Sequence, residues 1–133
     1  MKISDFNPIK KQEVPKELLI VDPELGTPLE DEQGNPLFKV MAKTILCKSA
    51  REYIDDNRLE EDAEPTEEQL IDRSVGICMS VITEVSSPLK TDDGKPITMK
   101  TLPDVLREEA WLRNQIERFA MRGLNIDRKK QTD

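Results

Sequence analysis

Residues 66–85 (TEEQLIDRSVGICMSVITEV) and 102–123 (LPDVLREEAWLRNQIERFAMRG) decide the fold, because each places apolar side chains at helical spacing and the two flank a Gly/Pro-marked connection at 90–98. Thr66 follows Pro65 and precedes Glu67, Glu68 and Gln69, a capping-box pattern with two acids set against the positive end of the helix dipole. At about 100° per residue, Leu70, Ile71, Val75, Ile77, Cys78, Val81, Ile82 and Val85 fall within an arc of roughly 160°, more than one neighbour covers. Gly76 costs this helix about 1 kcal/mol of propensity, so a close approach by another element is expected there.

The second stretch opens with Thr101 as its expected cap, Asp104 three residues on, and Pro103 tolerated in the first turn. If the helix runs unbroken to Gly123, a glycine suited to ending it, then Leu102, Val105, Leu106, Leu112, Ile116, Phe119 and Ala120 share one face. Trp111 then points the opposite way. Two arrangements resolve that conflict. Either the helix breaks near Glu109-Ala110 and Trp111 packs in the core at the kink, or it continues and presents Trp111 to a partner, a residue type enriched among interface hot spots.

Working outward, residues 18–21 (LLIV), closed by Asp22-Pro23, read as part of a strand over about 17–21, and the alternating 36–44 (PLFKVMAKT) reads as its partner. The turn formers between them, 31–36 (DEQGNP), predict a small antiparallel arrangement. From Ser49 the period becomes helical, with Ala50, Tyr53, Ile54 and Leu59 inward over about 49–60 and Ser49 as the cap. In 92–96 (DDGKP) Gly94 is expected at positive φ. Residues 1–15 read as a docked arm or a flexible terminus, and 127–133 as a mobile polar tail. No internal repeat stands out. The expected fold is α+β and mostly α: a small N-terminal antiparallel hairpin or sheet packed with three to four helices, in one domain over 16–126.

The 133 residues suit one domain, and with 36% hydrophobic and 4% aromatic residues its core must be aliphatic and lean. A net charge of −7 disfavours nonspecific binding to nucleic acid or to an anionic membrane, both of which need excess Lys and Arg. No apolar run approaches the roughly 18 residues that span a bilayer. There is no histidine, which removes the commonest general base and metal ligand together with every Ser-His and Cys-His nucleophile arrangement. Cys47 and Cys78 stand alone, without CxxC spacing, and none of the five glycines belongs to a phosphate-binding motif. Neither a catalytic residue, a cofactor nor a metal is expected, and the chain reads as a binding protein rather than an enzyme. In 52–68 nine acids stand against Arg58 alone, a net charge of minus eight. That run is either a solvated surface or, as the alternative function, the working face of a DNA mimic or regulatory inhibitor.

Residues 66–126 resemble the tail assembly chaperones of long-tailed bacteriophages. Three pieces carry the resemblance: the turn KTDDGKPIT at 90–98, the Thr-capped TLPDVLREE at 101–109, and the closing helix WLRNQIERFAMRGLNI at 111–126. The upstream order, LLIVDPE then LFKVMAKT then the helix from Ser49, is similar to the strands and first helix of that family. The resemblance implies a noncatalytic protein that binds the tape measure protein, keeps it soluble and recruits tail tube protein subunits around it. It implies action in the host cell cytoplasm, absence from the mature virion, and self-association in some members. On that basis the expected binding surface is the apolar edge of 66–85 with the Trp111 helix: Leu70, Ile77, Val81, Trp111, Ile116 and Phe119.

Overall fold

The computed structural model describes residues 1–3, 7, 11–58 and 64–132, with side chains described as far as Arg122. Among these residues the chain forms a three-stranded antiparallel sheet and four helices, in the order β1 (Lys16–Leu19), β2 (Lys39–Ala42), α1 (Lys48–Asp56), α2 (Glu67–Val81), β3 (Ile82–Ser86), α3 (Leu102–Glu108) and α4 (Ala110–Thr132). It is an α+β fold, mostly α. Strand order is β1-β2-β3, with Leu18 opposite Val40 and Val40 opposite Val85. The core lies between this sheet and the helices, built on Ile20, Val40, Cys78, Val81, Leu102, Leu106, Leu112 and Ile116.

The helix expected over 66–85 stops at Val81, and its last four residues belong to β3. Its N-terminus is as read: Gln69 N–H donates to Thr66 Oγ1 at 3.1 Å and Thr66 N–H donates to Gln69 Oε1 at 2.9 Å. At the other end Ile82, Thr83 and Val85 are β-branched, a type that favours the pleated surface, and Ile82 is already extended at ψ 129°. Helix therefore passes directly into strand. A bulge at Met41/Ala42 absorbs the junction, and Thr83 donates through Oγ1 to Met41 O at 3.2 Å.

Gly76 marks a close approach, as expected: a Cβ there would run into the end of the Tyr53 ring, whose hydroxyl donates to Asp72 O at 3.4 Å. Polar contacts join the other helices to α2. Arg107 of α3 pairs with Asp72, and Ser74 donates to Glu117 of α4.

Helix α1 begins at Lys48, and its cap comes from elsewhere than expected. Ser49 lies inside the helix and the N-cap residue Cys47 makes no side-chain cap bond. Glu13, from the N-terminal arm, accepts the Lys48 N–H at 2.7 Å, while Lys43 Nζ donates to its other oxygen at 3.3 Å. Thr44 bonds to the neighbouring Gln12. The described end of the expected arm is thus fastened to the helix it precedes in the fold. The helix ends at Asp56, short of the expected 60, because Asn57 leaves helical geometry at φ −121° and ψ 35°; Leu59 and part of the 52–68 acidic run lie outside the described residues.

The third helical stretch breaks where the first of the two arrangements requires. Glu109 leaves helical geometry at φ −106° and ψ 83°, separating α3 from α4. Arg113 secures the break by donating from Nη1 to Leu106 O at 2.7 Å and Arg107 O at 2.9 Å, carbonyls that a helix end leaves without partners. Thr101 makes no side-chain cap to α3; its hydroxyl donates instead to Pro96 O at 2.9 Å, facing the preceding loop. Helix α4 continues through Gly123 to Thr132, so the glycine does not end it and the tail expected from 127 falls largely within the helix.

An internal repeat, unseen in the linear reading, emerges from the backbone. Residues 27–37 (TPLEDEQGNPL) and 87–97 (SPLKTDDGKPI) agree at Pro28/Pro88, Leu29/Leu89, Gly34/Gly94 and Pro36/Pro96. Both close in the same way. Asp31 N–H donates to Asn35 O and Gly34 N–H to Asp31 O in the first loop, and Thr91 N–H donates to Lys95 O and Gly94 N–H to Thr91 O in the second. Each glycine takes positive φ, 83° and 81°. The first loop leads into β2 and the second leaves β3, and because Lys39 pairs with Ser86 the two sit side by side at one end of the sheet. Ser87 Oγ ties them by donating to Leu37 O at 2.5 Å.

Candidate functional site

The second repeat loop, α3 and the start of α4 enclose an open cleft of about 410 Å³. Its apolar lining, the floor, comes from Phe38, Leu89, Ile97, Val105, Trp111 and Leu112. The break at Glu109 creates this space. By redirecting the chain it turns Trp111 onto the cleft while Leu112, one residue on, enters the core. The indole is held there, since its Nε1–H donates to Glu109 Oε2 at 2.7 Å. Trp111 is half-buried and packs against the core, so it is both a packing residue and a lining one.

Around this floor stand Asp92, Asp93, Asp104, Glu108 and Glu109, with Lys90 and Lys95 as the only cations among the lining residues. Five carboxylates against two ammonium groups leave the lining at minus three. Among the described residues no three His, Cys, Asp or Glu side chains stand where they could hold a metal ion. The chemistry on offer is an apolar surface with a negative border, suited to covering another molecule's aliphatic side chains and meeting cations beside them.

The repeat gives an internal comparison. Leu29 of the first loop packs against the core, whereas its counterpart Leu89 is 38% exposed on the cleft. Gln115 of α4 closes over the chain leading into the first loop: its Nε2 donates to Val21 O and its Oε1 accepts Val21 N–H, both at 2.9 Å. The second loop's leucine is left open beside α3.

Of the six residues expected to bind a partner, Trp111 alone lines the cleft. Leu70 is 49% exposed, in the first turn of α2 and outside the cleft. Ile77, Val81 and Ile116 are buried and cannot serve as a surface. Beyond the exposed Leu70, the wide arc of α2 is largely covered because α1, α3 and α4 all pack on it and its last turn becomes strand, so breadth of apolar face signalled centrality rather than an open groove. Phe119 is half-buried, with the Arg122 guanidinium 5.4 Å from its ring centre. Reasoning from sequence missed Leu89, Val105, Asp104 and Glu108 as a group; the available signal was only that Leu89 lies near Asp92-Asp93 and Val105 near Asp104 and Glu108 along the chain. No described helix is long and apolar enough to cross a membrane. Compared with models of protein families, with curated proteins and with solved structures, the chain matches none.

Proposed function

We propose that this protein is a phage tail assembly chaperone, which binds and solubilises the tape measure protein through noncovalent contacts and helps recruit tail tube subunits. It would work in the host cell cytoplasm, without catalysis, and leave before the virion matures. One observation carries the reading. The stretches on which the resemblance rests, 90–98, 101–109 and the opening of 111–126, follow one another as loop, α3 and α4 and together line one acid-bordered cleft with apolar residues in it. A chaperone for a long helical client needs such a surface, because exposed apolar stripes of the client must be covered by a body that itself stays in solution.

The test is co-expression with fragments of a tape measure protein. A fragment that is insoluble alone should become soluble and copurify with this chain. Failure both to bind and to solubilise any fragment would reject the assignment.

A further inference from the structure

We infer that the cleft selects a cationic, aliphatic polypeptide segment: one whose apolar side chains cover Leu89, Val105 and Trp111 while its lysines or arginines meet the carboxylates of Asp93, Asp104 and Glu108. The inference deepens the chaperone reading and rests on it for the identity of the client, but it specifies the chemistry the client must present.

Three observations lead to this occupant. The first is charge: the lining carries minus three over an apolar floor, and its carboxylates flank the floor from both walls, Asp92 and Asp93 on the loop and Asp104 and Glu108 on α3. A neutral or acidic segment would bury the floor while desolvating or repelling those groups; a basic one satisfies both. The second is the repeat. At the same position of the same turn, Leu29 is half-buried against the core and Leu89 is exposed on the cleft, so within the chain the second loop's leucine packs less closely than the first's. The third is Trp111, whose indole is oriented by Glu109 rather than buried outright. An aromatic face beside acids accepts the methylene stem of Lys or Arg and leaves its charged head at the border.

The experiment uses two helix-forming peptides with the same leucine stripe, one bordered by lysines and one by glutamates. Trp111 is the chain's only tryptophan, so its emission reports cleft occupancy directly. The lysine peptide should shift the emission and bind at least tenfold more tightly than the glutamate peptide, with an affinity that falls as salt rises. Asp93→Lys with Glu108→Lys should weaken the lysine peptide by about tenfold, the product of two exposed ion pairs. Glu52→Lys with Asp56→Lys makes the same change in net charge away from the cleft and should alter binding less than twofold. Equal losses in the two variants would mean bulk attraction and overturn the inference, as would equal binding of the two peptides or no binding of either. Should charge reversal impair folding, Asp93→Asn with Glu108→Gln asks the same question, with a smaller loss expected and an unchanged affinity counting against the proposal.

The client reading fails separately. If tape measure fragments bind the wild type and the charge-reversed variant equally, the cleft inference falls and the chaperone role stands. If no fragment binds while the lysine peptide still does, the chaperone role falls and the cleft's selectivity stands.

Discussion

Replacing Gly76 with alanine sets two opposed effects against each other at one atom. In the middle of α2, alanine gains about 1 kcal/mol over glycine in helix propensity. The new Cβ, however, would occupy the space held by the Tyr53 hydroxyl and ring edge. Inserting a methyl into a filled contact costs roughly 1–3 kcal/mol, and moving the ring aside forfeits its bond to Asp72 O. The net expectation for Gly76→Ala is a loss of about 1 kcal/mol, or about 4 °C in Tm for a domain of this size. The decisive measurement is a double-mutant cycle by urea unfolding, followed by helical circular dichroism. In a Tyr53→Ala background the obstacle is gone, and Gly76→Ala should stabilise by about 1 kcal/mol, giving a coupling of about 2 kcal/mol between positions 53 and 76. If Gly76→Ala stabilises the otherwise unaltered protein by the full propensity increment, Tyr53 does not lie over Gly76 and the α1–α2 packing described above is wrong.

Three further outcomes follow from named contacts. Gln115→Leu removes both bonds to Val21 and should cost about 1–2 kcal/mol in urea unfolding, the lower part of the usual range because Val21 is half-buried and water replaces part of the loss. Glu13 is held below its ordinary carboxylate value first by the Lys48 N–H and then by Lys43, so its contribution is fully present above that ordinary value and is lost as pH falls through the lowered one. Hydrogen-exchange protection at the α1 N-terminus, taken relative to the intrinsic exchange rate at each pH, should therefore fall in acid, and Glu13→Gln should flatten that dependence; an identical acid response in the variant would show that Glu13 is not the cap. The Cys78 thiol is pushed up to about 12, chiefly by burial and then by Glu117 nearby, so at neutral pH a thiol reagent should modify it only after denaturant is added.

Some local signals in this chain were dependable, but the caps expected from Ser49 and Thr101 and the stop expected at Gly123 were not, and nonlocal pairings left no signal. The Thr66 capping box, the positive φ of Gly94 and the crowding at Gly76 could be read because each depends on residues within a few positions, or on one missing side chain. Ile82–Ser86 misled because Ile82 and Val85 continue the helical arc of α2, while their partner strand lies some 40 positions upstream and leaves no trace in the local period. The α1 cap failed for the same reason: Ser49 is adjacent in sequence, but Glu13 is the group that reaches the helix end. The break at Glu109 was legible as one of two solutions, since Trp111 and Leu112 cannot both face inward on a single straight helix. What Trp111 then helps to line was not legible, because the cleft joins Phe38, the 87–97 loop and α3, which only the folded chain brings together. The repeat escaped notice because four matching positions out of eleven are diluted by substitutions; the shared turn bonds make the correspondence plain.

The direct passage from α2 into β3 has a consequence for anyone altering this protein. With no slack between Val81 and Ile82, a one-residue insertion or deletion near that junction would turn the preceding helical surface by about 100° or invert the inward and outward sides of the strand. Tags, labels and fusion partners therefore belong elsewhere. The outer tip of the 31–35 turn, exposed and remote in sequence from the junction, is the natural place to graft them.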